Sequence, residues 1–294
     1  VVIYGQRCRS ACHATLKPVR LSYMKKNKLI VTKSNTLIEA GYRLSLDEQR
    51  LILLAIGKIE SKDSTLTSKD LFTVSAKEFA IFSNGDTSNA YKSIQGAAED
   101  LYERSITFYE KDTGSILVTR WVSAVKYIEN TGTVQLRFAP DVLPLLTQIK
   151  SHFTQYNLEN ISNLTSIHTI RIYEFCLQYL TIGFRNFELE EFKFLLGIEE
   201  QYLEFKELNC CVLKPSIAQI NKHTDIKIKV TPTRELRKIV ALRFEIESKK
   251  ARGHKVSKQK AESEIKKLSS SIEDSSKKQI KQQRPSFIIG ESYQ

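Results

Sequence analysis

The chain has no apolar stretch near the roughly 18 residues that a membrane-crossing helix needs. Its greasiest run, Leu51 to Gly57, is the size of a core segment. It also lacks the short signatures of nucleotide and hydrolase chemistry: no GxxxxGKS or GxxxxGKT phosphate loop, no GxGxxG turn, no HExxH pair and no GxSxG elbow. Five histidines, His13, His152, His168, His223 and His254, form no HxH pair, which a metal-dependent nicking site would require. Five cysteines are an odd number without framework spacing, and Cys210 and Cys211 are neighbours. No structural disulfide is predicted, and a reducing cytoplasm is the expected compartment. Cys8, Cys12 and His13 lack the second ligand pair of a zinc site, so no metal, no cofactor and no catalytic residue is expected.

What is present is basic. Against 33 acidic residues stand 45 basic ones, for a net charge of +12 in 294 residues, which points to acidic partners such as nucleic acid. That length has room for two compact units plus tails. Residues 1–23 carry four basic and no acidic residues, and 249–294 carry twelve basic and five acidic, which leaves 24–248 nearly neutral. Within that core Lys206 to Arg243 holds nine basic residues against three acidic ones, which makes it the candidate contact surface. The single methionine, Met24, is followed by Lys25-Lys26-Asn27-Lys28 and reads as a natural start, with 1–23 an upstream extension. Lys249 to Gln283, rich in Lys, Ser and Gln, reads as a flexible basic tail.

Between these ends the order of elements repeats. After a strand from Ile30, Ser45-Leu46-Asp47-Glu48 forms a capping box for a helix striped by Leu51, Leu54, Ala55 and Ile59. The polar run Ser61 to Ser64 is expected to end it. A strand at Leu71 to Val74, a helix at Ala76 to Phe82 and a turn at Asn84-Gly85-Asp86 lead to a helix capped by Thr87 or Ser88 and running through Arg104. Ser105 to Glu110 and Ser115 to Tyr127 read as a hairpin around Lys111 to Gly114, with a third strand at Thr133 to Phe138. In the second half a helix is expected over Asn163 to Ile182, with Arg171, Tyr173 and Glu174 paired inside it. A strand over Phe187 to Leu189 and a helix over Glu191 to Leu196 follow, then a long helix from about Leu203 to Lys222 kinked at Pro215. A hairpin of Ile226 to Val230 with Val240 to Ile246 closes the series across Thr231 to Lys238. Phe72 and Phe79 match Phe187 and Phe194 at an offset of about 115 residues, so the fold class is α+β, two tandem winged-helix domains over 24–148 and 149–248.

In a helix-turn-helix the second helix enters the major groove while the wing and flanking cations hold phosphates. The first module thereby offers Ser88, Asn89, Lys92 and Ser93. The second offers Lys206, Asn209, Cys210 and Lys214 on its helix and Lys227, Lys229, Arg234, Arg237 and Lys238 on its wing. Of Cys210 and Cys211, one is expected to pack and the other to face out.

Several stretches, in order, carry a family resemblance. They are Leu29-Ile30-Val31 with Ser34-Asn35-Thr36-Leu37, Glu39-Ala40 and Leu44-Ser45; Phe153-Thr154-Gln155-Tyr156 with Leu158; Ile170-Arg171-Ile172-Tyr173-Glu174; and Val212-Leu213-Lys214-Pro215 with Ile220-Asn221 and Thr224-Asp225. From Met24 to Lys249 the chain resembles the initiator replication (Rep) proteins of iteron-containing, theta-replicating bacterial plasmids. The resemblance implies binding of double-stranded origin repeats as a monomer and repression of its own gene as a dimer. It also implies contact with the host initiator, the replicative helicase and chaperones, with no membrane partner. The chain departs from the family where Asn209, Cys210 and Cys211 stand in place of several basic residues, and where His168 replaces a common aromatic. A tandem winged-helix transcriptional regulator shares the same physical argument without initiation, and a DNA-nicking enzyme is the third reading.

Overall fold

A computed structural model describes residues 29–59, 66–83, 89–109, 114–147, 152–236 and 238–249. The chain divides into two units, Val1–Ser248 and Lys249–Gln294, and every element below lies in the first. The expected extension at 1–23, the tail beyond Lys249, the turns at 61–64, 84–86 and 111–113, and the caps Thr87 and Ser88 lie outside the described residues.

The opening of the fold is β1 (Ile30–Ser34), α1 (Asn35–Ile38), β2 (Gly41–Tyr42) and α2 (Leu46–Ile56). The capping box forms: the Ser45 hydroxyl accepts from the Glu48 N–H at 3.2 Å, and the Glu48 carboxylate accepts from the Ser45 N–H at 3.0 Å. Arg104 then donates to both oxygens of that carboxylate at 3.0 Å, and this hydrogen bonding raises the guanidinium above its usual range. One buried glutamate thus starts α2 and ties it to the far end of the next long helix.

The first winged helix follows as β3 (Phe72–Ser75), α3 (Ala76–Ser83), α4 (Ala90–Glu103), β4 (Ser105–Tyr109), β5 (Ile116–Arg120), β6 (Val122–Ile128) and β7 (Thr133–Phe138). On α4 Ala90, Ile94, Ala97, Ala98 and Leu101 face the core, and its N-cap is Asn89, without a side-chain bond. The single strand expected over Ser115 to Tyr127 is two strands in different sheets. β4 pairs with β2 and β5, whereas β6 pairs with β7, which pairs with β3. Trp121 makes the break: its ring is fully buried edge-on to Tyr42 at 4.9 Å, and a side chain drawn inward there takes the chain out of one sheet and into the next. The wing of this module is therefore β6 with β7, turned at Gly132 in the left-handed region (φ +59°), and β4 with β5 is an inserted hairpin.

After α5 (Pro144–Thr147), β8 (Phe153–Asn157) returns to pair with β1. The second winged helix comprises α6 (Ile167–Gln178), β9 (Phe184–Glu188), α7 (Leu189–Leu196), α8 (Phe205–Leu208), a π turn (Asn209–Leu213), α9 (Lys214–His223), β10 (Ile226–Glu235) and β11 (Lys238–Ser248). α6 is shorter than the expected Asn163 to Ile182, since the chain is not yet helical at 163–166, with Ser166 extended as the N-cap, and turns back at Gly183 (φ +87°). β9 sits earlier than expected because Leu189 already begins α7. β10 and β11 extend to a connection of two residues, so most of the expected loop Thr231 to Lys238 is strand.

The strand, short helix and long helix recur in both halves, but the offset is 113 residues, from Ala76 to Leu189, instead of 115. Buried Phe79 corresponds to buried Phe192, and Phe194 is released for a different task. Its ring fills the space over Gly41, where an added Cβ would meet it at 2.7 Å, and a Cβ added at Gly197 (φ +69°), which closes α7, would meet the Tyr42 carbonyl oxygen at the same distance. Arg171, on α6, locks this junction by donating to the Tyr42 hydroxyl at 2.6 Å and to the carbonyls of Ala40 and Leu195 at 2.8 and 2.7 Å. The expected pairing of Arg171, Tyr173 and Glu174 is met in the main, with Tyr173 donating to Asp225 at 2.8 Å and Glu174 accepting from Lys33 at 2.8 Å, while Arg171 Nε and the second oxygen of Glu174 are buried without a hydrogen-bond partner among the described residues.

Candidate nucleic-acid interface

Each long helix turns one face to the core and leaves the other to solvent. On α4 the exposed residues near the start are Asn89, Lys92 and Ser93, the polar trio the sequence picks out, followed by Gly96. Towards its end Glu99, Asp100 and Glu103 are exposed and acidic. The exposed acids thus lie towards the C-terminal end, and the exposed cation Lys92 towards the N-terminal end, which is the end that reaches base edges in a helix-turn-helix. Ser88 lies outside the described residues.

The second long helix is differently built. Lys206, Cys210 and Lys214 are exposed and Asn209 is half-buried, while Leu208, Val212, Leu213, Ser216 and Ile220 pack inward. The proline at 215 removes a backbone donor, and the turn before it is π, with the Lys214 N–H reaching the Asn209 carbonyl. The chain stays helical through Leu213 and Lys214, so the strain expected as a kink is taken up as this wider turn. A π turn carries one extra residue, and here it brings Cys210 and Cys211 onto the outer face together. The expectation that one of them packs is thus corrected. Cys176 is the buried thiol, and burial pushes it up to about 12.

On the second wing alternation sorts the residues: Ile226 and Ile228 face the core, Lys227 and Lys229 face out. Lys229 lies opposite Glu245 and pairs with it at 3.6 Å, and Lys227 lies opposite Glu247. Arg234 is opposite Ile239, beyond these acids, and Lys238 is exposed next to the tip; Arg237 lies outside the described residues. At the apex stands Leu236, 102% exposed and at φ +54°. A side chain in the left-handed region costs about 1 to 2 kcal/mol.

Four further exposed positions lie on these faces: Lys222 and Arg243, within the basic stretch Lys206 to Arg243, and Cys211 and Lys126, of which only Lys126 is not singled out by the sequence. Lys222 lies in the last turn of α9, Cys211 shares the π turn, Arg243 lies over the Phe184 ring at 4.2 Å, and Lys126 sits on the first wing. The signal for the first wing was Asn130-Thr131-Gly132, a second turn between alternating runs. Among the described residues no group of three or more His, Cys, Asp or Glu could hold a metal ion, and no helix is long and apolar enough to cross a membrane.

Two helix-turn-helix units, each with a wing and joined by a buried junction, define the class as tandem winged-helix proteins. Comparison with known proteins carries this to a family. The family model described as Initiator Replication protein, WH1, matches residues 30–177, and that described as Initiator Rep protein, WH2, matches 188–246. The chain belongs to the initiator replication protein family. It is 30% identical over 210 residues to a replication initiation protein of Escherichia coli, covering 69% of this chain and 66% of that relative's length. An uncharacterized 27.6 kDa protein of Escherichia coli is 25% identical over 214 residues, 69% of this chain and 89% of that protein. The fold is similar to the crystal structure of Pi initiator protein in complex with iteron DNA, with a TM-score of 0.64 at 22% identity over 75% of this chain and 97% of that one.

Proposed function

We propose that this chain is a plasmid replication initiator that works by binding double-stranded origin repeats. The observation that carries the reading is the second long helix, whose outer face presents Lys206, Asn209, Cys210 and Lys214 beside the exposed wing cations Arg234 and Lys238, within a chain matched by both domain models of the family. Side chains early on that helix reach base edges, with Asn209 able to pair bidentately with adenine, while Lys227, Lys229, Arg234, Arg237 and Lys238 meet phosphates. Ser88, Asn89, Lys92 and Ser93 do the same for the first module in the adjacent major groove. The modules are divided near residue 148. The work is recognition and not catalysis, and it takes place in the cytoplasm. Binding as a monomer, self-repression as a dimer, and recruitment of the host initiator, helicase and chaperones belong to the same proposal, and the motifs shared with the family support them.

The experiment is selection of duplexes from a random pool by the full chain, followed by affinity on the selected and a scrambled duplex at several salt concentrations. Preference for the selected duplex by about a thousandfold or more supports the reading. Equal affinity for both would sink it.

A further inference from the structure

The last register pair of the second wing is Glu235 with Lys238, so β10 and β11 are joined by two residues, of which Leu236 is the first. Asn or Gly ordinarily stands there, because the favoured two-residue turns need a positive φ. The first wing, with a longer connection of Glu129 to Gly132, also places a glycine at its left-handed position, Gly132 at φ +59°. The second places a leucine at φ +54° and leaves its side chain wholly in water. Both the conformation and the exposure are unfavourable, and nothing in the described fold touches Leu236 to offset them. Strain of this kind persists where a function uses it.

The surroundings say what the function is. From Thr231 to Leu236 every side chain is exposed, and beyond Ala241, where the pairing of β11 with β9 ends, β10 and β11 continue as a two-stranded tip about 10 Å long. Glu235 and Lys238 flank the apex as the last register pair, so the one acid there faces a cation, and Arg234 follows one position behind, with Thr231 and Thr233 further back. An apolar point flanked by cations on a narrow ribbon is the arrangement by which proteins enter the minor groove, unstack one base step and kink the duplex.

We propose that Leu236 is a minor-groove wedge. It enters between two base pairs beside the segment read by the second long helix and kinks the duplex towards the major groove. Arg234 and Lys238 hold the phosphates on either side. The inference rests on the DNA-binding reading above and adds to it a groove, a residue and a deformation.

The test uses the full chain and a duplex it has selected from a random pool, carrying terminal fluorophores to report bending and 2-aminopurine placed step by step to report unstacking. The wild-type chain bends this duplex and brightens 2-aminopurine at one step. Leu236→Asn suits the turn, so it unfolds at the wild-type temperature or above, yet it loses the brightening and most of the bend and binds roughly tenfold more weakly, the size of one good base contact. Leu236→Met keeps an apolar point and retains both signals. Unchanged bending and unstacking in Leu236→Asn, or a wild-type complex that is straight, overturns the wedge while leaving DNA binding intact. Failure of the wild-type chain to enrich any duplex overturns the DNA reading, and the wedge with it.

Discussion

The Lys33 ammonium and the Glu174 carboxylate meet at 2.8 Å across 141 positions of sequence, both fully buried, and join β1 to α6. The Tyr156 hydroxyl donates to the same carboxylate oxygen at 2.5 Å, and burial together with this carboxylate holds the phenol far above its usual range. A buried pair of this kind is costly to halve. Lys33→Met alone is expected to cost about 3 to 5 kcal/mol, because it strands a buried charge. Replacing the set together, as Lys33→Met, Glu174→Leu and Tyr156→Phe, recovers most of the loss. Urea unfolding at constant pH checks both.

His168 lies at the start of α6, and burial, then the Arg171 charge, lowers its pKa from the ordinary 6.5. The unfolded chain therefore takes up a proton there that the folded one resists. The contribution of His168 is full above about pH 6.5 and is lost as pH falls through the lower folded value. His168→Phe is expected to flatten the decline in stability between pH 7.5 and 5.5. An unaltered slope would show that the proton is taken up elsewhere.

The π turn puts two thiols on the face assigned to base reading. Alkylation with N-ethylmaleimide is expected to abolish preference for the selected duplex, and bound duplex is expected to slow the reaction at Cys210 and Cys211. The variant Cys210→Ser with Cys211→Ser isolates these from the other cysteines. It keeps binding after the same treatment, whereas loss of binding in that variant would place the sensitive thiol elsewhere.

Wing cations are not equivalent. Lys229 already has Glu245 at 3.6 Å, so Lys229→Ala also frees an acid facing the DNA, whereas Arg234 has Ile239 opposite. Arg234→Ala is expected to weaken selected and scrambled duplexes alike and to lower the salt slope by about one. The double variant Lys229→Ala with Glu245→Ala leaves the slope within about half of that. Affinity measured from 50 to 200 mM salt separates the two.

Much of this was legible in sequence because local rules and the fold agree. Ser45 with Glu48, Gly132 and Gly197 mark element ends through their own backbone chemistry, and the apolar stripe of α4 is regular. The misreadings fall where long-range packing decides. Trp121 breaks an alternating run because Tyr42, 79 positions earlier, offers it a place in the core. Phe194 mimics the repeat spacing of Phe79, yet its partner is Gly41 of the other half. On the candidate interface the exposed faces of the long helices could be read from periodicity, but the neighbours of Lys227 and Lys229 depend on strand register, which the sequence leaves open until Glu235 and Lys238 fix the turn.

Two recognition helices on one chain are expected to read successive major grooves. Hydroxyl-radical footprinting of the monomeric full chain on its selected duplex tests this most directly. Protection is expected over roughly 20 base pairs, with the two centres about 10 to 10.5 base pairs apart on one face of the helix. A footprint confined to a single half of that length would contradict it.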